Sequence, residues 1–284
     1  MNVSSLRGKT ALVTGAGSGI GQATALAFAR RGAKLALCDV NEAGLAETEA
    51  KARALGCEVL ARRVDVSKRE EMRVFSDTVH HWVEAVDLLM NNAGVGLGAR
   101  FLDSTLEDWD WIVGINLMGV IHGCHFFLPP MVRRGSGGHV VNVSSAAGFF
   151  ATPQLAAYCT TKFGVLGLTE ALREELAPHR IGVTAVCPGL INTPITRSSV
   201  LRGPEATPEA REQMVKIYER RNYGPERVAE NILRAVQRNR TVAPITPEAW
   251  AMYFIKRLSP RLAWFIARKL EEQAGQSAKT RGSA

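Results

Sequence analysis

The sequence has little with which to crosslink itself. Its five cysteines are an odd number, none stands in a Cys-x-x-Cys pair, and Cys38 and Cys187 lie in strand-like runs, so disulfides and a zinc site are not expected. Six histidines include the neighbours His80 and His81 and the pair His122 and His125, but no carboxylate adjoins the latter pair, and a metal site is not expected. No apolar run approaches the roughly 20 residues of a membrane span. The opening Met1-Asn-Val-Ser-Ser-Leu-Arg has no secretory apolar segment, so a soluble cytoplasmic protein is expected. Helix-turn-helix, zinc-finger and RNA-binding signatures are absent, and nucleic acid is not an expected partner.

The chain does contain enough apolar material for a large core, 46% of 284 residues. Its formal charge of +8 is uneven: residues 1–195 balance 18 Lys/Arg with 18 Asp/Glu, whereas residues 196–284 hold 17 against 9. The excess lies wholly in the C-terminal third. A solvated basic face accounts for it most simply.

Near-continuous apolar runs at Lys9–Thr14, Lys34–Asp39, Glu58–Val64, Val86–Met90, His139–Val143 and Gly182–Cys187, with a weaker one at Thr241–Ile245, read as strands buried on both faces. Helical patterns at 19–31, 41–55, 67–84, 105–134, 154–178 and 225–238 fall between them. Such alternation predicts an α/β fold, a Rossmann-type doubly wound parallel sheet of about seven strands. No long linker interrupts it, so one domain is placed at 1–246, which the motifs below mark as dinucleotide-binding and catalytic. The segment 192–222 reads as an excursion that shapes a binding site.

The strict Gly-x-Gly-x-x-Gly spacing is also missing. The first strand runs instead into Thr14-Gly-Ala-Gly-Ser-Gly-Ile-Gly21, with glycines at 15, 19 and 21, and then into the helical Gln22–Arg30. Glycines let the backbone approach a pyrophosphate, and free N–H groups of a helix start hold its charge. Asp39 ends the second strand 18 residues past Gly21, where an acid accepts from ribose hydroxyls and repels a 2′-phosphate, favouring NAD over NADP. Arg62 or Arg63 could still meet a phosphate, and Asp39 has the alternative of capping the helix at Asn41.

Tyr158 and Lys162 are four residues apart, on one helix face. A free phenol ionises near pH 10, and a cation beside it favours the phenolate. The pair therefore reads as a tuned acid/base.

Together these motifs resemble the short-chain dehydrogenase/reductase family in its single-domain NAD(P)-dependent branch. The matching residues are Thr14–Gly21, Asn91-Asn-Ala-Gly94, Asn116 in Gly114-Ile-Asn-Leu, Ser145 thirteen residues before Tyr158, Tyr158-x-x-x-Lys162 and Pro188-Gly189, over about residues 5–240. The resemblance implies an oxidoreductase acting on CH–OH groups. Its catalytic set would be Asn116, Ser145, Tyr158 and Lys162: Tyr158 as acid/base, Lys162 lowering the tyrosine pKa and binding the nicotinamide ribose, Ser145 polarising the carbonyl, and Asn116 holding a proton-relay water. Asn116 has the alternative of a satisfied buried amide. Cofactor contacts implied are Gly15, Ser18, Gly19, Ile20, Gly21, Asp39, Asp65, Val66, Asn92, Tyr158, Lys162, Pro188, Ile191 and Thr193. Asn91 and Thr14 are expected to hold the central strands together. A homodimer or homotetramer is also implied.

Val95, Leu97, Phe149, Phe150, Leu155 and Leu190 are expected to face the reacting alcohol, and no basic residue is placed to grip a carboxylate or phosphate. A hydrophobic alcohol or ketone, of steroid, terpenoid or aliphatic type, is expected. For Phe149 and Phe150 a plain core role is the alternative. Residues 247–284 form a basic extension of two short helices, Pro247–Leu258 and Pro260–Leu270, the second capped by Ser259 with Leu262, Ile266 and Leu270 as an apolar stripe, and then a disordered tail. The stripe packs on its own or a partner subunit, covers the substrate mouth, or makes peripheral contact with an anionic membrane. Two other functional classes compete with the enzyme: a catalytically silent NAD-binding sensor, and a membrane-surface interaction protein that uses the basic tail.

Overall fold

Successive residues of the first strand go to opposite faces of a sheet, and that alternation organises the molecule. In a computed structural model that describes residues 1–204, 206–266 and 268–269, β1 (Thr10–Thr14) sends Ala11 and Val13 into one core layer and Leu12 into another. The first layer is completed by α1 (Gly19–Ala29) and α9 (Pro225–Gln237), whose Phe28, Val228, Ile232 and Val236 are fully buried. The second is completed by α3 (Arg69–Trp82), α5 (Gly119–Arg134) and α6 (Ala156–Leu176), through Phe75, Phe127, Met131 and Val165.

The remaining strands are β2 (Lys34–Asp39), β3 (Val59–Arg63), β4 (Leu88–Asn91), β6 (Gly138–Val143), β7 (Ile181–Cys187) and β9 (Val242–Pro244). They form one parallel sheet of seven in the order β3-β2-β1-β4-β6-β7-β9. The order reverses between β1 and β4, the switch point at which such sheets open a crevice beyond their strand ends. All seven strands expected from the sequence are present. So is α2 (Glu42–Ala54), with Asn41 as its cap: the Asn41 side chain accepts from Gly44 N at 3.2 Å.

The expected helix at 105–134 divides into α4 (Leu106–Val113), a π turn at Gly114–Met118 and α5. Taken as one 29-residue helix from Leu106 to Arg134 it is long and apolar enough to cross a membrane, contrary to the expectation from runs alone. Half of its most apolar 18-residue stretch is buried inside the protein, however, as in a core helix.

The excursion at 192–222 contains structure that the sequence reading did not assign. After α7 (Ile195–Ser198), β8 (Val200–Leu201) pairs with β5 (Leu97–Gly98), and α8 (Pro208–Arg221) follows, capped by Thr207. Arg202, just past β8, makes a forked ion pair with the buried Asp108 of α4, at 2.7–3.2 Å. Asp108 also closes a capping box with Thr105. The excursion is thus fastened to the body near its middle, at residues 200–202.

α10 (Pro247–Leu258) lies against the β7–β9 edge, with Ala249 buried beside Cys187 and Phe149. Residues 260–266 are helical, and Ser259 caps them by accepting from Leu262 N at 3.2 Å. Ala263 faces inward there, while Leu262 is half exposed, so the packed line of this helix is not the expected stripe. Leu270 and the tail expected to be disordered lie outside the described residues.

Candidate active site

Gly15 and Gly19 take φ of +65° and +52°, values that favour glycine. A Cβ on Gly15 would stand 2.7 Å from Ala93 Cα, so the turn after β1 can press against the end of β4 only without a side chain. Asn92 secures the contact by donating to the carbonyls of Thr14 and Gly15 at 3.0 Å each. Thr14 Oγ1 accepts from Asn92 N and Ala93 N, and Asn91 donates to Asn142 of β6 at 2.9 Å, so both bridge strands as expected. The first main-chain bond of α1 is Gln22 N to Ser18 O, and the helix has no acid in its first turn. Its opening N–H groups therefore present partial positive charge to the crevice.

The crevice is a cleft of about 620 Å³ along the strand ends. Gly15, Ser18, Gly19, Ile20 and Asp39 line one end; Asp65, Val66 and Asn92 follow; Pro188, Ile191 and Thr193 come from the turn after β7. Gly21 does not reach the wall. It packs behind the turn, where a Cβ would fall 2.0 Å from Gly15 O, so its glycine serves helix–turn packing rather than contact with a cofactor.

Asp39 Oδ2 accepts from Gly17 N and Oδ1 from Asn41 N, both at 2.8 Å. It braces the glycine turn and leaves the capping of α2 to Asn41. Arg63, opposite Asp39 in the β2–β3 register, is engaged with Glu71 at 3.2 Å, and Arg62 turns to the carbonyl of Ala61.

At the other end of the cleft, α6 presents Tyr158 and Lys162 one turn apart, with the Lys162 Nζ 5.6 Å from the Tyr158 ring centre. Ser145 heads the turn after β6, where its hydroxyl accepts from Ala147 N at 3.1 Å and lines the cleft with Tyr158. Ser144, the neighbouring hydroxyl, is buried and donates to Lys162 O at 2.8 Å, which ties the end of β6 to α6. The three candidates thus converge.

The expectation that Lys162 lowers the tyrosine pKa needs correction for the protein's own groups. Burial raises Tyr158 to about 12, and the opposing influence is the Ser145 hydroxyl, with Tyr218 adding a further upward push. Lys162 is 4% exposed, and burial lowers it to about 8; its ammonium donates to Val143 O at 3.1 Å. Desolvation dominates both groups.

Asn116 is fully buried in the π turn. Its side chain accepts from Val95 N at 2.8 Å and donates to Val95 O at 2.9 Å and Thr161 Oγ1 at 3.4 Å. Both amide protons and one lone pair of the oxygen are engaged, which clamps the loop after β4 beside Lys162. A Cβ on the adjoining Gly94 would lie 3.2 Å from Asn116 Oδ1 and 3.5 Å from Lys162 Nζ.

Of the expected apolar residues, Val95, Leu97, Phe150, Leu155 and Leu190 line the cleft. Phe149 does not: the chain turns inward after residues 146–148, and its ring packs edge-on against Tyr253 of α10 at 5.5 Å. The sequence reading missed Met214 and Tyr218 of α8, and Glu248 and Met252 of α10, all of which join the wall. Thr207-Pro208, a cap followed by a helix-starting proline, was the available signal for α8. Glu248 accepts from Leu190 N at 3.3 Å and from Arg221 at 3.0 Å, tying α8, α10 and the turn after β7 together. Among the described residues no three of His, Cys, Asp or Glu gather as a metal site.

A parallel sheet with a glycine turn at its switch point and a Ser–Tyr–Lys group across the crevice defines the class of dinucleotide-dependent dehydrogenase folds. The short chain dehydrogenase family model matches residues 9–202, and the chain belongs to the short-chain dehydrogenase/reductase family. It is 40% identical over 260 residues to "Probable oxidoreductase EphD" of Mycobacterium tuberculosis, covering 90% of this chain and 44% of that protein. The chain therefore spans less than half the length of that relative. It is 39% identical over 209 residues to "Estradiol 17-beta-dehydrogenase 11" of Macaca fascicularis, covering 72% of this chain and 69% of the relative. A crystal structure of a short-chain dehydrogenase/reductase from Burkholderia phymatum in complex with NAD superposes with a TM-score of 0.83 at 34% identity, over 92% of this chain and 96% of that one.

Proposed function

We propose that the protein is an NAD-dependent oxidoreductase that interconverts a hydrophobic secondary alcohol and its ketone, with Tyr158 as acid/base. The observation that carries this reading is the convergence of Ser145, Tyr158 and Lys162 at one end of a cleft whose other end is the glycine turn and Asp39. NAD supplies the hydride acceptor when bound. Its fit is supported by the close-packed turn at Gly15 and Gly19, by the acid-free start of α1 and by the Burkholderia complex.

In this reading Ser145 donates to the substrate oxygen and Tyr158 removes the hydroxyl proton as hydride leaves carbon. Lys162 holds a positive charge one helical turn from the phenolate, and Asn116 fixes the Val95 loop beside it. Asp39 accepts from ribose hydroxyls and repels a 2′-phosphate, and the engagement of Arg63 with Glu71 leaves that repulsion unopposed there.

The apolar substrate class is supported by Leu97, Leu155, Leu190, Ile195, Leu201 and Met252 on the cleft wall, and by the estradiol dehydrogenase relative. Association into a homo-oligomer is supported by the exposed Phe101, Leu102 and Leu106. The test is a panel of alcohols and ketones followed at the NADH absorbance band. Turnover of sterols, terpenols or medium-chain secondary alcohols is expected; turnover of sugars and small polyols alone would refute the substrate class.

A further inference from the structure

The C-terminal helices divide their faces sharply. On α10, Ala249 is fully buried and Tyr253 meets Phe149, so one side is spent on the fold. On the other, Phe254 is 52% exposed and Leu258 82%. The helical residues 260–266 repeat the division, with Ala263 buried and Leu262, Trp264 and Phe265 each about half exposed or more. Five large apolar side chains within the twelve residues 254–265 therefore face water, far more than scattered surface hydrophobics would supply.

The charges among them are of one sign. From Ala249 to Lys269 the chain carries Lys256, Arg257, Arg261, Arg268 and Lys269 and no acid. Arg257 lies over Tyr253, Arg268 over Trp264 and Lys269 over Phe265, at 4.9–5.7 Å from the ring centres. These three cations are thus held at the level of the aromatics.

We propose that this face docks on the surface of an anionic lipid bilayer, with Trp264, Phe265, Leu258 and Phe254 entering the headgroup boundary and the five cations meeting lipid phosphates. Charge complementarity selects this occupant. A second copy of the chain would set five cations against five with no acid among the described residues of the face to offset them. The apolar and basic residues also interleave along two successive helices instead of framing a pocket, and a bilayer, unlike a folded partner, asks for no shape complement. Met252 of α10 lines the cleft, so the helix that begins the docking face also contributes to the site.

The full chain should co-sediment with phosphatidylcholine vesicles that contain phosphatidylglycerol and not with phosphatidylcholine alone. The double variant Trp264→Ala/Phe265→Ala should bind at least about tenfold more weakly, with its thermal melt unchanged because both rings are exposed. Neutralising Arg257→Gln and Arg261→Gln should weaken binding about fivefold per cation, and added salt should do the same. Absence of binding to both vesicles, or equal binding by all the variants, overturns the proposal. So does retention on polyglutamate without vesicle binding, which would indicate an acidic protein partner. Concentration-dependent self-association abolished by the double variant, again without vesicle binding, overturns it in favour of a second copy.

Discussion

Tyr158 and Lys162 are both pushed toward their neutral forms by burial, and a charged pair is what the proposed alcohol oxidation asks of them. Tyr158→Phe keeps the ring and removes the proton acceptor, so kcat should fall by about 10²–10⁴ while NAD binding, read by fluorescence titration, stays within about twofold. For Lys162 the fall from 10.5 to about 8 holds about 3 kcal/mol against the charged form. Between those pH values the unfolded chain binds more protons than the folded one, so the penalty is carried in full below about pH 8 and is relieved as pH rises toward 10.5. Lys162→Met should remove turnover yet melt later at pH 7 by about 1–2 kcal/mol, after allowing for the lost bond to Val143 O. Its advantage should shrink as pH rises through that window; a pH-independent difference would contradict the account. Asp39→Asn removes the charge that repels a 2′-phosphate and should raise the kcat/KM ratio of NADP to NAD at least about tenfold.

Legibility from sequence differs among the elements for physical reasons. The five inner strands β2, β1, β4, β6 and β7 announce themselves because burial on both faces demands continuous apolar runs. The two-residue strands β5 and β8 do not, since each exists only by pairing across about a hundred residues. α8 buries no residue completely, so its polar sequence carries little periodic signal, and it passed for loop although Thr207 and Pro208 mark its start. Phe149 and Phe150 are adjacent and chemically alike; only the turn at 146–148 sends one to the core and the other to the cleft. The Asp108–Arg202 fork is likewise a product of the fold, and it fastens the β5–β8 pair, which brings Leu97 and Leu201 to the cleft wall, against α4. Arg202→Met should raise KM for the apolar substrate severalfold with kcat nearly unchanged, whereas an equal fall in both kcat and kcat/KM would place Arg202 in the chemistry instead. Gly123→Ala would drive a Cβ to 2.0 Å from Asn91 Oδ1, against the β4–β6 bridge, and should lower stability by about 1–3 kcal/mol in a thermal melt.

For the whole molecule, one architecture places an anion-ready helix start, a carboxylate at the end of β2 and a Ser–Tyr–Lys group around a single cleft, and belonging to the short-chain dehydrogenase/reductase family accounts for all three together. The basic C-terminal third, bland as a composition, resolves into helices that pack one face on the sheet edge and turn aromatics and cations outward. The central claim is hydride transfer between NAD and a hydrophobic carbinol through Tyr158. It is tested most directly by following NADH absorbance with wild type and Tyr158→Phe across a panel of secondary alcohols. The account predicts NADH formation by wild type with apolar alcohols and loss of at least about a hundredfold in the variant; near-normal turnover by the variant, or none by wild type with any alcohol or ketone while NAD still binds, would contradict it.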